Sequence, residues 1–214
     1  MLLRSPGSVP QGLRPAHVGA ADRRHRGAAR RRGLRIVGGE ARGRPLRAVP
    51  GRSTRPTADR VRQSLFDALG QRVDGLVVLD LYAGTGALAL EAISRGAARA
   101  TLVENDARAC AAIFHNVESL RYGERCRLLR AELPEALQQL RGERFDLVFS
   151  DPPYALRAAQ TTLDGLSSNG LLSPAARVVV EMDRREPVPA APAGLRLVDE
   201  RRYGDTRALI LSAE

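Results

Sequence analysis

Ser150-Asp151-Pro152-Pro153-Tyr154 closes the apolar run Phe145 to Phe149 and carries the residue types needed to act on the amino group of a nucleobase. An exocyclic base amine is a weak nucleophile, because its lone pair is delocalised into the ring and must be localised before it attacks a methyl donor. The Asp151 carboxylate and the Pro152 carbonyl are acceptors for its N–H bonds. Pro152 and Pro153 stiffen the turn, and Tyr154 offers a ring on which an extruded base stacks. Such preorganised acceptors act through electrostatics and positioning. Asp-Pro is also a common turn opener, so the tetrapeptide takes its meaning from the elements that carry it.

Those elements begin at Val77-Val78-Leu79-Asp80-Leu81-Tyr82-Ala83-Gly84-Thr85-Gly86-Ala87-Leu88, which reads as a buried strand, a glycine turn and the start of a helix. Gly84 and Gly86 let a ligand approach the backbone, and helix N-terminal amides accept a carboxylate. One strand-helix unit later, the run Ala100 to Val103 ends in Glu104, followed by Asn105, where an acid bonds the two hydroxyls of a ribose. Gly84 to Ala89 also satisfies the relaxed dinucleotide fingerprint, which keeps a nicotinamide-dependent oxidoreductase in view. Asp80 argues against it, since an acid at that strand end suits the ammonium of S-adenosylmethionine better than a pyrophosphate. No substrate domain for a dehydrogenase follows.

The spacing predicts a helix over 105–121 with Ala107, Cys110, Ala111, Phe114 and Val117 on its buried face and His115 exposed. A third strand follows at Arg127 to Arg130, with Ala131 and Glu132 where an adenine contact is expected. A helix near 133–141, a fourth strand at Phe145 to Phe149, a helix near 157–168 and a strand from Arg177 to Glu181 come next. Strands Leu195 to Glu200 and Arg207 to Leu211 then bracket the hairpin Tyr203-Gly204-Asp205-Thr206. This alternation predicts an α/β fold: a doubly wound, mostly parallel seven-stranded sheet of Rossmann-like type, with ligands at the C-terminal ends of its strands. Asp80, Glu104, Ala131 and Asp151 all fall at such ends.

The net charge of +10 is unevenly placed along the 214 residues. Residues 1–62 hold 16 Arg against Asp22, Glu40 and Asp59, a balance of +13, whereas residues 63–214 hold 18 Arg against 21 acids, a balance of −3. The basic part is thus the part expected to meet a polyanion. Within it, residues 1–33 lack apolar periodicity and read either as a disordered Arg-rich tail or as a start assigned too far upstream. Residues 34–54 are expected to form a small basic β-hairpin extension, with strands at Leu34 to Val37 and Arg42 to Val49, that contacts RNA. Residues 55–214 form the main domain. Thr57 is the expected N-cap of a helix to about Leu69 that turns Val61, Leu65 and Leu69 inward. Arg35, Arg42, Arg44, Arg55, Arg60 and Arg62 are the expected phosphate contacts, the last two falling off the apolar stripe. Cys110 and Cys126 are too few and too loosely spaced for a disulfide framework or a metal site. They fit a cytoplasmic protein, and with no apolar run near membrane-spanning length no membrane contact is expected. Nothing in the pattern demands more than a monomer.

With Leu79-Asp80-Leu81-Tyr82-Ala83-Gly84-Thr85-Gly86, Glu104 and Asp151-Pro152-Pro153-Tyr154 in this order, the chain resembles class I S-adenosylmethionine-dependent methyltransferases acting on amino nitrogens. More narrowly, it resembles the bacterial family that methylates N2 of one guanine in 16S ribosomal RNA. That likeness rests on Arg35-Ile36-Val37-Gly38-Gly39, Arg55-Pro56-Thr57 with Asp59-Arg60-Val61-Arg62, Leu65-Phe66, Glu91-Ala92 with Ser94-Arg95-Gly96, and Tyr203-Gly204-Asp205-Thr206. The resemblance implies that Asp80, Tyr82, Ala83, Gly84, Thr85, Gly86, Glu104, Asn105, Ala131 and Glu132 hold S-adenosylmethionine, and that Asp151, Pro152, Pro153 and Tyr154 receive the guanine. It also implies a small ribosomal subunit, assembled or assembling, as the partner, with ribosomal protein as a candidate part of the recognised surface. Arg130 and Ala131 depart from the amide or glycine that commonly precedes an acid at the third strand end, so the adenine contact is expected from the backbone. The rival readings are a DNA amino-methyltransferase, for which the intervals between motifs leave no target-recognition insertion, and a non-catalytic ribosome-assembly factor that keeps the fold. A protein glutamine methyltransferase would place Asn at position 151.

Overall fold

In the computed structural model, residues 33–50, 58–153 and 158–214 are described, so Arg55 and Tyr154 lie outside the described residues, as does the stretch before residue 33. The seven strands are β1 (Val77–Leu81), β2 (Arg99–Glu104), β3 (Cys126–Arg130), β4 (Phe145–Ser150), β5 (Leu172–Asp183), β6 (Leu195–Tyr203) and β7 (Thr206–Ala213). They form one sheet in the order β3-β2-β1-β4-β5-β7-β6. The first five of that order are mutually parallel, and β7 runs antiparallel to both β5 and β6. The order reverses between β1 and β4, the crevice in which ligands of open α/β sheets bind.

The parallel strands read as continuous apolar runs because both of their faces are covered. On one face Val78, Leu102, Phe149, Val179 and Ile210 pack with Leu65 and Phe66 of α1 (Ala58–Ala68), Leu90 and Ile93 of α2 (Ala87–Ser94), and Ile113 and Val117 of α3 (Ala107–Leu120). On the other, Leu79, Val103, Val148 and Val180 pack with Leu137 of α4 (Glu135–Gln139) and with Leu163 and Leu166 of α5 (Ala159–Ser168). Among the described residues no helix is long and apolar enough to cross a membrane.

Two helix faces differ from the sequence expectation. Helix α3 buries Ala109, Cys110, Ala112, Ile113, Asn116, Val117 and Leu120, while Ala107, Ala111 and Phe114 face outward, Phe114 at 66% exposure. The small residues are inside because Ala109 and Ala112 receive Val49 of the N-terminal segment at close range. Helix α1 buries Phe66 and Leu65 fully and carries Arg62 inside with them, while Val61 and Leu69 are only half-buried. The Phe66 ring meets the Phe149 ring at 5.7 Å between centroids and lies under the Arg95 guanidinium, 4.7 Å away.

The expected N-terminal hairpin reduces to a single antiparallel bridge, Arg35 to Pro45, supported by hydrogen bonds from Ile36 N–H to Arg44 (2.9 Å) and from Gly43 N–H to Ile36 (2.8 Å). The segment lies on α2 as a strap and does not project. The Ala41 N–H donates to Ser94 Oγ (2.9 Å), which donates to the Gly38 carbonyl (2.7 Å), and Glu40 N–H reaches the Ser94 carbonyl (2.8 Å). Gly39, at φ +72°, sits so close that a Cβ would stand 1.8 Å from the Ser94 oxygen. The glycine pair and the Ser94-Arg95 pair are therefore two halves of one contact.

Candidate active site

Strand β1 delivers Asp80 to the rim of the sheet. The next residues leave the strand through a turn in which Tyr82, Gly84 and Gly86 take φ of +58°, +58° and +75°. Gly84 and Gly86 adopt this left-handed region at no steric cost, whereas Tyr82 does so at about 1–3 kcal/mol, a strain typical of functional turns. A Cβ on Gly86 would meet Leu102 at 2.9 Å, so glycine is also what lets α2 begin directly against β2. The Tyr82 side chain packs on the α4–α5 face and bonds Thr162, which leaves its backbone for the turn. Asn116 of α3 holds the turn from outside, donating Nδ2 to the carbonyls of Thr85 (3.0 Å) and Arg47 (3.1 Å) and accepting from Arg47 N–H (2.6 Å). Its place on the buried face of α3 is a signal that the sequence carried and that the expected helix face obscured.

Glu104 ends β2 as a carboxylate fixed by backbone. Its Oε2 accepts from Gly84 N–H (2.8 Å), and its Oε1 accepts from Asn105 N–H and Asp106 N–H (2.9 Å each). A carboxylate offers about four acceptor positions, so capacity for a ligand hydroxyl is left on Oε2. Asn105 itself is exposed, and its contribution seen here is the amide that aims Glu104. Ala131 is half-buried and Glu132 exposed just beyond β3.

Asp80 is 2% exposed and accepts from Ala89 N–H at the start of α2 (3.1 Å). Burial pushes its pKa well above the ordinary carboxylate range; the Ala89 amide opposes this, while Asp151 and Glu104 add to it. Asp151 and Pro153 are exposed directly after β4, and the Pro152 ring is buried between them.

The register shows why these residues converge. Asp80 pairs with Phe149, and Phe149 with Val179, so β1 and β4 end side by side while β5 continues past them to Asp183. Asp80 shares strand parity with Val78, Glu104 with Leu102, and Asp151 with Phe149, and each of those apolar residues lies on the α1–α3 face. By the two-residue period of a strand, the acids project to that same face. An acid-lined rim beside a glycine turn fits a ligand that joins a cation to a ribose, and the acceptors Asp80 and Glu104 on either side of the turn fit S-adenosylmethionine. A carboxylate not assigned by sequence reasoning joins them. Glu181 follows Val179 on β5 with the same parity, and its pKa is raised well above the usual range by burial, then by Asp151 and Asp80.

The expected phosphate contacts separate in the structure. Arg42 and Arg60 are exposed, and Arg44 is exposed with its guanidinium on the Ser119 carbonyl (2.6 Å). Arg35 is paired with Asp59 at 3.2 Å. Arg62 is a correction: it is 4% exposed, bonded to the Arg35 carbonyl and to Asp59 (3.0 Å), and 3.4 Å from Glu91. It falls inside because Glu91, fully buried on α2, draws both Arg62 and Arg95 to itself.

The family described as Conserved hypothetical protein 95 matches residues 34–212. Ribosomal RNA small subunit methyltransferase D of Escherichia coli is 37% identical over 171 residues, 80% of this chain and 85% of that protein. Putative rRNA methyltransferase YlbH of Bacillus subtilis is 33% identical over 179 residues, 83% of this chain and 97% of that one. Among solved structures, the putative methyltransferase yhhF from Escherichia coli superposes with a TM-score of 0.77 at 34% identity, covering 85% of this chain and 98% of that one. The same fold recurs at 14% identity and a TM-score of 0.63 in a putative methyltransferase complexed with SAH. The chain belongs to the family described as Conserved hypothetical protein 95, and it is a methyltransferase.

Proposed function

We propose that the protein methylates the exocyclic N2 amine of a specific guanine in 16S ribosomal RNA, acting in the cytoplasm on the small ribosomal subunit. The observation that carries this reading is that Asp151 and Pro152 directly follow β4, the strand paired with the one that carries Asp80, with Asp151 on the strand parity of Phe149. The relatives named as small subunit and rRNA methyltransferases support the choice of RNA.

Asp80, the Gly84 to Gly86 turn and Glu104 would hold S-adenosylmethionine, which supplies an electrophilic methyl group on a sulfonium. The Asp151 carboxylate and the Pro152 carbonyl accept the two N2–H bonds and localise the nitrogen lone pair, a preorganised electrostatic contribution. Asp151 takes the proton that N2 loses as it is alkylated, and its exposure gives that proton a route to water. The strap would bring Arg42 and Arg44, and α1 would bring Arg60, to the RNA backbone, which makes binding salt-dependent.

The test is transfer of label from radiolabelled S-adenosylmethionine to small subunits from a strain lacking this gene, with naked 16S RNA and duplex DNA alongside. N2-methylguanine in the subunits is the expected product. Label in DNA would instead identify a DNA amino-methyltransferase, and cofactor binding with no transfer would identify an assembly factor.

A further inference from the structure

Glu181 is a half-buried acid whose carboxyl makes no hydrogen bond or ion pair with any described residue. The other acids at the rim that the cofactor reading uses have a backbone donor or an assigned ligand, which leaves the Glu181 oxygens open toward the crevice. Its position is fixed by strand pairing: Ser150 pairs with Val180, so residue 181 stands level with Asp151 on the adjacent strand, about 4.8 Å across the sheet. Its strand parity follows Val179, which packs on the α1–α3 face. Glu181 thus lies on the far side of Asp151 from the glycine turn, where the base rather than the cofactor belongs.

Guanine presents there a row of donors, with N1–H next to the N2 amine. Asp151 and Pro152 account for the amine and leave N1–H without a partner. We propose that Glu181 is a specificity-determining residue whose carboxylate accepts the guanine N1–H hydrogen bond while Asp151 and Pro152 hold N2. This rests on the guanine-N2 reading above. The chemistry selects guanine over any base whose N1 is a lone-pair acceptor, because two acceptors would then face each other. Sites built around a specific hydrogen bond reject analogues lacking it by large factors. Burial first, and then Asp151 and Asp80, raise the Glu181 pKa, and in either protonation state the carboxyl keeps an oxygen that accepts the N1–H bond.

The experiment uses the intact protein and reconstituted small subunits at pH 8. After the wild-type enzyme has been used to map its modified guanine, 2-aminopurine is ligated into the 16S RNA at that position. This base keeps the N2 amine but has a lone pair at N1. Wild type should prefer guanine over 2-aminopurine by roughly 100-fold or more in kcat/KM. Glu181→Gln can turn its amide N–H toward that lone pair and should narrow the ratio by at least about tenfold. Glu181→Ala should lose about 100-fold on guanine, with the Kd for S-adenosylmethionine held within roughly threefold. An unchanged guanine to 2-aminopurine ratio in Glu181→Gln, or a loss explained by cofactor Kd alone, overturns the assignment. A wild-type enzyme that leaves no N2-methylguanine overturns the parent reading and this one with it, and is seen before any variant is made.

Discussion

Two parts of the same sheet face hold buried charge and treat it in opposite ways. Around α2, Glu91 is fully buried, yet its oxygens accept from Val37 N–H (2.8 Å) and Arg95 Nε (2.8 Å), with Arg62 at 3.4 Å. Arg95 also donates to the Gln71 carbonyl (3.2 Å) and to Gln63 (3.1 Å), so every charge in the network has a partner of opposite sign, although Arg62 Nε makes no hydrogen bond. At the crevice, buried Asp80 has one backbone donor and half-buried Glu181 none among the described residues, and their neighbours are other acids. A buried ion network whose charges are paired ties elements together, here the strap, α1 and α2. Acids left to repel one another are held for ligands that bring positive charge or N–H donors.

The severest challenge to this contrast is catalytic. Asp151→Ala removes the principal acceptor for the amine and should lower kcat by about a thousandfold or more, with cofactor Kd and melting temperature close to wild type. Single-turnover assays read it, and near-normal turnover would sink the mechanism. Next in size is Glu91→Ala, which strands Arg62 and Arg95 without their shared partner. Breaking such a buried pair costs about 3–5 kcal/mol, equivalent to a fall in melting temperature of roughly 6–20 °C for a chain of this size. Calorimetry would show it, and a fall of only a degree or two would mean that the strap is held by its apolar contacts alone. The smallest effects belong to the surface. Arg42→Ala and Arg60→Ala should each weaken RNA binding modestly and flatten the dependence of log K on log salt by about one unit for each phosphate no longer neutralised. A salt slope that neither variant changes would place the RNA elsewhere.

The alternation of strands and helices and the strand ends that carry Asp80, Glu104 and Asp151 were legible because apolar runs, glycine turns and terminal acids are local signals. Glu181 had the same signature, Val178-Val179-Val180-Glu181, and only its pairing with β4 shows that it stands beside Asp151. Arg62 was misplaced because helical spacing from Val61 and Leu65 turns it outward, whereas Glu91, far along the chain, turns it in. The face of α3 was shifted for a related reason: Ala109 and Ala112 carry little hydrophobic weight in a sequence but fit beneath Val49, and the larger Phe114 does not. The family signatures Arg35 to Gly39, Glu91 to Gly96 and Tyr203 to Thr206 acquire physical roles in the same way. The first two form the strap contact, and Tyr203 donates to Ser64 (2.8 Å), tying the β6–β7 hairpin to α1.

The repelling acids at the strand ends also fix the sign of two pH dependences. The raised pKa of Asp80 means that the folded chain holds a proton the unfolded chain releases near pH 4. Its contribution to stability is therefore greatest at low pH and declines as pH rises toward the native pKa. Cofactor affinity should run the other way and rise over the same window, because a cation binds the ionised acid, and calorimetric titrations in buffers of different ionisation enthalpy would detect the proton released.

Whether these acids are kept for a cationic ligand is decided by the melting temperature of Asp80→Asn with and without saturating S-adenosylmethionine. The amide oxygen can keep the Ala89 bond while the charge that repels Asp151 and Glu104 is removed. We expect a melting temperature at or above wild type without cofactor and a much smaller rise on adding it. A lower melting temperature together with an undiminished cofactor-induced rise would show that Asp80 is structural, and would contradict its assignment to the cofactor.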